Sequence, residues 1–340
     1  MRDRNIFLRA VLPFLTFLAI PIINLLNIPN PAIIFMLMVV YFSFIGGIVS
    51  GGISALLTIV YSAWFFSDAG SFFRFNSENL KKFLLILITM PVTVLMVGRL
   101  KDKLKEKTTQ LEKKMAEYND QIRLAGTVQR YIQKGDYADE AVIVRTIYQP
   151  AQAVSGDSYY YHWRLENQIF NGFILDVTGH GVPTALQTAG IRVIMEQELE
   201  NEICSQATLE RLNERIESYL IEASFAAVVL FSFDFRTRIL TVVSGGINYF
   251  LTQQNHSSSW ITIPGSYLGI SPKAEFGIVH ISFEQGDSFY FLTDGIVDQM
   301  DMSVPLKEGK FEETVAQLEI IAKRSERRDD CSALCIKVVK

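Results

Sequence analysis

Four apolar stretches fill the first hundred residues, at about 7–27, 31–49, 52–66 and 82–99. Each except the short third approaches the roughly 20 residues that a helix needs to cross a bilayer. Arg2, Arg4 and Arg9 precede the first stretch, and Arg99, Lys101, Lys103, Lys105 and Lys107 follow the last. Basic flanks mark the cytoplasmic side, so both ends belong there, which requires an even number of spans. Four spans meet that condition, although Arg74, Lys81 and Lys82 fall on the expected outer side. The first stretch is followed by further spans and shows no small-residue cleavage site, so it reads as an anchor rather than a signal peptide. The expectation is a multi-pass protein of the cell (inner) membrane, in contact with the lipid bilayer, with its N-terminus and C-terminal half in the cytoplasm. Two prolines break the chain in Asn27–Pro31, and the run GGIVSGG (Gly46–Gly52) lies where it must reverse, as a turn or a tightly packed hairpin. No charge within the spans marks an ion or substrate path, which argues against a transporter or channel.

Beyond residue 100 the composition changes. Residues 1–100 carry a net charge of +4, residues 101–136 of +3 and residues 137–340 of −11. An acidic C-terminal half argues against a nucleic-acid partner, which needs a basic face. It suits a domain that gathers cations or meets a basic protein surface, and it also serves solubility. Cys204, Cys331 and Cys335 are too few, and odd in number, for a disulfide framework; no His/Cys cluster has zinc spacing. In the charged stretch 101–136, apolar positions repeat in heptads. Leu104, Leu111, Tyr118, Ala125 and Ile132 fall on one seam position, and Thr108, Met115, Ile122 and Gln129 on the other. This predicts a coiled-coil linker, weak at Thr108, Ala125 and Gln129, and hence a homodimer through the linker; near 122–134 a helix packed on its own domain is the alternative.

From Ala141 onward short β-rich runs appear: AVIVRTIYQ, QIFNGFILDV, FAAVVLFSFD, ILTVV, NYFLT, GIVHISF, DSFYFLT and SALCIKVV. Two helices fall in the middle. Val182, Ala185, Leu186, Ala189 and Val193 line one face of the first, and Leu209, Leu212, Ile216 and Tyr219 one face of the second. A third covers about 310–326. The pattern predicts an α+β domain of stacked antiparallel β-sheets flanked by helices. The expected domains are a transmembrane module at 1–100, a linker at 101–136 and a catalytic domain at 137–340.

Acids fall at the ends of these runs. Asp157 sits in VSGDSYY, Asp176 in FILDVTGHG, Asp294 in FYFLTDGIVDQ, and Asp329 and Asp330 in RRDDCSALCI. Carboxylates on strand ends can meet at one sheet edge, and neighbouring glycines let an ion approach the backbone. An all-oxygen set favours hard divalent ions such as Mg²⁺ or Mn²⁺. Two such ions can activate a bridging water and hold a phosphate for in-line attack without a nucleophilic side chain. G-x-S-x-G, P-loop and H-E-x-x-H motifs are absent from the sequence.

These strings resemble the SpoIIE-type branch of the PPM (PP2C-like) phosphatases, a metal-dependent serine/threonine phosphatase family. YQPAQAVSGD, DVTGHGVPTAL, PGSYLGI, QGDSFYFLTDGIVD and DDCSALCI carry the resemblance over about residues 122–340, and AGTVQRYIQ resembles the helix that leads into such domains. The four-span layout resembles the small membrane module in front of some bacterial sensor kinases. The phosphatase resemblance implies a PPM-type fold and two Mn²⁺ or Mg²⁺ ions bridged by Asp176. The Val177 carbonyl would bind one ion, Asp294 and Asp329 the other, and Asp157 would act at the edge, directly or through water. The first acid of DDCS aligns with the ligand, so Asp329 is preferred over Asp330. His180 would donate a proton to the leaving serine or threonine oxygen, or order its loop. A phosphorylated regulatory protein, such as an anti-sigma-factor antagonist, is the implied partner. There are departures: SGDSYYYH lacks a second acid near Tyr160–His162, Gly246 stands where His is expected, and Ala226 or Ala227 replaces a Thr. A catalytically inactive membrane scaffold is the rival reading; loss of an acid would favour it, and the four principal acids are present.

Overall fold

The computed structural model describes residues 11–340 except 26–27, 29–30, 69–72, 166–167, 202–203, 222–223, 256, 301–309 and 325–328. Arg2, Arg4 and Arg9, and part of the Asn27–Pro31 break, lie outside the described residues. The chain divides into two compact units, Met1–Glu117 and Tyr118–Lys340.

In the first unit a 3-10 turn (Leu12–Leu15) leads into helix α1 (Thr16–Leu25), followed by α2 (Ala32–Gly46), α3 (Ile48–Phe66) and the start of α4 (Ser77–Ile132). Among the described residues α3 and α4 are long and apolar enough to cross a membrane, whereas α2 has 15 residues and α1 has 10. The expected reversal at Gly46–Gly52 narrows to Gly47, whose φ of +81° suits glycine. Gly51 lies inside α3, and a Cβ there would fall 2.0 Å from Ser43 Oγ of α2. Small residues let the two backbones approach, and Ser50, Ser54, Thr58 and Ser62 are buried along the same helix.

The expected linker is not a separate element. Helix α4 runs without a break through residue 100 and contains Pro91. Its seam residues Leu104, Leu111, Met115 and Tyr118 are exposed.

In the second unit eleven strands among the described residues form two antiparallel sheets. One has the order β1 (Tyr137–Ala138), β2 (Val142–Gln149), β11 (Cys331–Val338), β10 (Ser288–Leu292), β7 (Tyr249–Gln254) and β8 (Ser257–Thr262). The other has the order β3 (Asp157–Arg164), β4 (Ile169–Val177), β5 (Ala226–Asp234), β6 (Ile239–Gly245) and β9 (Gly277–Ser282). The sheets share an aromatic core in which Phe231 of β5 stacks on Phe291 of β10 at 4.5 Å. Helices α5 (Val182–Asn201) and α6 (Gln206–Ile216) cover the outer face of the second sheet. The one-turn α7 (Asp294–Val297) follows β10, and α8 (Phe311–Ala322) covers the first sheet. The expected stacked, helix-flanked sheets are therefore present. Strands β1, β3 and β8 are additions to the sequence reading: SYYYH shows no apolar/polar alternation, because β3 is buried on both faces over its first five residues.

Helix α5 corrects an expectation. Leu186, Ala189 and Val193 point outward, and the buried face holds Thr184, Gln187, Thr188, Ile191, Arg192, Ile194, Met195, Glu198 and Leu199. The polar residues there have partners to reach. Thr188 Oγ1 donates to the Gly156 carbonyl at 2.9 Å. Arg192 donates to Gln133 Oε1 at 2.6 Å, to Ser158 Oγ at 3.1 Å and to the Ile132 carbonyl at 3.0 Å. In the next helix Leu209, Leu212 and Ile216 are buried as expected, but Tyr219 lies half-exposed in a 3-10 turn.

Phe231 has no solvent exposure and touches both sheets. Phe231→Ala is expected to lower unfolding free energy by about 3–5 kcal/mol in chemical denaturation, through lost transfer energy and the cavity left between the sheets.

Candidate metal centre

The strands explain where the acids go. Side chains alternate across a strand. Tyr159, Tyr161, Phe170 and Ile174 face the inter-sheet core. Asp157 lies two residues before Tyr159, and Asp176 two after Ile174, so both continue the inner rows. They are also direct cross-strand partners in the β3–β4 register. From the other sheet, Phe291 and Leu334 face the same core. Thr293 and Ser332 continue those rows, and Asp294, Asp329 and Asp330 adjoin them. The inner face of the sandwich thus changes from aromatic to acidic at one edge.

The hydrogen bonds divide the acids into two kinds. Asp157 is 1% exposed, and its Oδ2 accepts from Thr293 Oγ1 at 2.9 Å. Thr293 is itself tied to β11: its N–H donates to the Ser332 carbonyl at 3.0 Å, and Ser332 N–H donates to its Oγ1 at 2.9 Å. Asp330 is buried, and its oxygens accept from the N–H groups of Ala151 and Gly156, each at 2.7 Å. Asp329 and Asp294 are exposed, and Asp176 is half-buried. Asp329 spends one oxygen on the Asp330 N–H at 2.8 Å. Val177 is buried, and its carbonyl oxygen lies 2.7 Å from where a Cβ on Gly156 would stand, so only glycine fits there. His180 is exposed between Gly179 (φ +107°) and Gly181 (φ +84°), and its ring makes no hydrogen bond among the described residues.

The electrostatics are unbalanced. Burial raises the Asp157 carboxyl well above the ordinary range, and the charges of Asp176 and Asp330 raise it further, against the pull of Thr293. Burial likewise raises Asp176, with Asp294, Asp329 and Asp330 adding repulsion. Asp294 is raised by partial burial, then by Asp329 and Asp298, while the Gly295 N–H pulls it back. Among the described residues no Lys, Arg or His forms an ion pair with Asp157, Asp176, Asp294, Asp329 or Asp330. Like charges facing each other across a strand pair are destabilising. An all-oxygen set with uncompensated negative charge fits hard divalent cations. Among the described residues no three His, Cys, Asp or Glu side chains already form a ligand cage, and mutual repulsion would keep these carboxylates apart without a cation.

Of the residues expected from sequence, Asp157, Asp176, Asp294 and Asp329 fall within one mutually repelling group, and the Val177 carbonyl borders it. Among the described residues no hydrogen bond or ion pair joins His180 to the group. Sequence reasoning missed Thr293 and the inward position of Asp330. The signal was the two-residue period of SFYFLT and of the strand after Asp330, which places both on core-facing rows.

The family model described as Stage II sporulation protein E (SpoIIE) matches residues 170–340, and that of a domain of unknown function (DUF4118) matches residues 6–114. The phosphoserine phosphatase RsbU of Bacillus subtilis (strain 168) is 26% identical over 185 residues, covering 54% of this chain and 55% of RsbU. The phosphoserine phosphatase RsbP of the same organism is 20% identical over 183 residues, covering 52% of this chain and 45% of RsbP. The chain therefore spans about half the length of these relatives. The solved SiaA-PP2C domain of Pseudomonas aeruginosa is 19% identical, with a TM-score of 0.52 over 66% of this chain and 98% of that domain. The RsbU and RsbW domains of Rv1364c from Mycobacterium tuberculosis are 17% identical, with a TM-score of 0.52 over 59% of this chain and 62% of that one. These two structures establish a shared PP2C-like fold.

The raised carboxyls set a pH dependence. Each binds a proton more readily folded than unfolded, so its contribution is fully present below the unfolded pKa and is lost as pH rises through the folded one. With chelator present, Tm should fall between about pH 5 and about pH 8, and Asp157→Asn should reduce the fall. Mn²⁺ should raise Tm more at the higher pH, because it binds the ionised form. Differential scanning calorimetry reads both.

Proposed function

This chain belongs to the SpoIIE family, and from that premise we propose that it is a membrane-anchored, metal-dependent protein serine/threonine phosphatase. The observation that carries the reading is the group of uncompensated carboxylates from four strand ends at one edge of a PP2C-like sandwich. Asp176 would lie between two ions; the Val177 carbonyl would serve one, Asp294 and Asp329 the other, with Asp157 at the margin. Divalent cations such as Mn²⁺ or Mg²⁺, when bound, supply Lewis-acid activation of water and neutralise phosphoryl charge.

The chain's own residues supply placement. Thr293 fixes the oxygen of Asp157 that turns toward β10. The opposed carboxylates present a negative edge that repels a free phosphate dianion, so substrate entry depends on their being neutralised first. His180, on an exposed glycine-flanked loop, is the candidate donor to the leaving serine or threonine oxygen. The resemblance and the phosphoserine-phosphatase relatives support phosphoserine or phosphothreonine on a regulatory protein as substrate, such as an anti-sigma-factor antagonist.

The anchoring half of the proposal rests on α3 and α4, which meet the length and apolarity of membrane spans. A multi-pass arrangement with the phosphatase domain in the cytoplasm follows from the basic flank after residue 98. The homodimer half rests on Leu104, Leu111, Met115 and Tyr118, which repeat in heptads and are exposed in the single chain.

Two measurements test this reading. The full chain with Mn²⁺ should hydrolyse p-nitrophenyl phosphate and a phosphoserine protein. Asp176→Asn and Asp294→Asn should each lower kcat by at least about 100-fold, beyond the loss typical of an outer ligand-sphere partner. Full activity in both variants would refute the site. For the dimer, Leu111→Cys should crosslink between chains under mild oxidation in membranes, and Lys113→Cys, off the seam, should not. The native cysteines are all buried, so they add little background. Equal crosslinking at both positions would argue against a specific seam.

A further inference from the structure

The two neighbouring acids at the start of β11 differ in every structural respect. Asp329 is exposed, with one oxygen on the next residue's N–H. Asp330 is 9% exposed, and each of its oxygens takes a backbone N–H at 2.7 Å. Those amides belong to Ala151 and Gly156, the two ends of the loop that joins β2 to β3 and delivers Asp157. Charge-assisted bonds of this length are among the stronger ones a side chain makes.

We infer that Asp330 is a positioning residue: it clamps the β2–β3 loop at both ends and so fixes where Asp157 enters the acidic edge. The catalytic consequence rests on the phosphatase reading; the clamp itself does not. Three observations support it. Gly156, held by Asp330 through its N–H, uses its carbonyl to accept the Val177 N–H at 3.2 Å and the Thr188 hydroxyl at 2.9 Å. The clamp therefore joins β11 to the end of β4 and to α5. On the other side, the Asp330 carbonyl oxygen lies 1.9 Å from where a Cβ on Gly295 would stand, so the residue is wedged against the turn that carries Asp294. Finally, Ser155 within the loop is held from α4, where Gln129 Nε2 donates to its carbonyl at 2.7 Å and Gln129 Oε1 accepts its N–H at 2.9 Å, and its own Oγ accepts the Asp157 N–H at 3.0 Å. Among the described residues the strand pairings of β2 and β3 begin outside 150–156, so beyond the Val177 bond to Gly156 the loop is held chiefly by these side chains.

The position demands two acceptors. An asparagine offers one acceptor and one donor, and its NH₂ would face a backbone N–H. An isosteric amide is therefore a poor substitute, whereas at a purely space-filling position it would be neutral.

The test uses the full chain in detergent micelles, with Asp330→Asn, Asp330→Ala and Asp329→Ala. Amide hydrogen exchange across residues 150–157, Mn²⁺ stoichiometry by titration calorimetry, and p-nitrophenyl phosphate kinetics are measured on each. Both Asp330 variants should speed exchange at Ala151 and Gly156 by at least about 10-fold, as the loss of a strong amide bond would. They should lower kcat by about 10–100-fold with KM nearly unchanged, and retain the wild-type Mn²⁺ stoichiometry. Asp329→Ala should leave exchange over 150–157 unchanged and weaken Mn²⁺ binding. Unchanged exchange in Asp330→Asn, or a lost Mn²⁺ ion in the Asp330 variants with Asp329→Ala binding normally, would overturn the assignment. If the wild-type chain hydrolyses nothing, the phosphatase reading fails, and exchange still decides whether the clamp exists.

Discussion

Asp157 and Asp176 face each other as a cross-strand pair, on the core-facing side of their sheet, at the place where the core ends. Two like charges in that position are costly, and the cost rises because Asp157 is buried. The sandwich accepts this arrangement because the surrounding elements fix the backbone independently of it. The Phe231–Phe291 stack packs the two sheets together, and the hydrogen-bond ladder within each sheet fixes its own strands. The stability of the aromatic core is thus what permits an edge that repels itself. A cation is the natural complement of such an edge, because its charge would offset the repulsion.

The parity of the strands decides which polar residues can take part. Every second residue of β10 and β11 faces the opposite sheet, so Thr293 and Asp330 fall on the inner rows and Asp329 does not. The inner residues are spent on bonds to the chain itself, to Asp157 and to two loop amides. The outer residue keeps its carboxylate open to solvent. This one-residue distinction favours Asp329 as the proposed metal ligand for a reason separate from family resemblance: it is exposed, whereas Asp330 is buried with each oxygen already accepting a backbone N–H.

Most of the catalytic half was legible in the sequence because its strands are short apolar runs and its acids sit at their ends. β3 was not, since DSYYYHWR is aromatic and polar throughout and its burial comes from a sheet on one side and a helix on the other. The inward face of α5 was misread for a related reason. Periodicity finds the apolar stripe, Leu186, Ala189 and Val193, and assigns it to the core. Here the helix instead turns Thr188 and Arg192 inward, where they satisfy the Gly156 carbonyl, Ser158 and the C-terminal end of α4. The inward face also carries an apolar row of its own, Ile191, Ile194, Met195 and Leu199, so the helix buries the face that combines that row with the hydrogen-bonding demand of a loop and a helix end, neither local in sequence.

The same demand shows what the end of α4 does in this unit. Gln129 pairs with both backbone groups of Ser155, and Gln133 accepts from Arg192 and from the Tyr159 N–H. Gly126 has no room for a side chain, since a Cβ would lie 1.8 Å from the Ala153 carbonyl oxygen. These residues occupy heptad or near-heptad positions, yet they contact the loop that delivers Asp157. The heptad pattern of residues 104–132 therefore has two physical meanings. Up to Tyr118 its apolar positions are exposed; further on, Gln129 on the seam and Gly126 and Gln133 beside it meet the β2–β3 loop and β3, while Ala125 and Ile132 stay exposed. The polar seam position Gln129 is then the mark of where the helix becomes part of the support for the acidic edge.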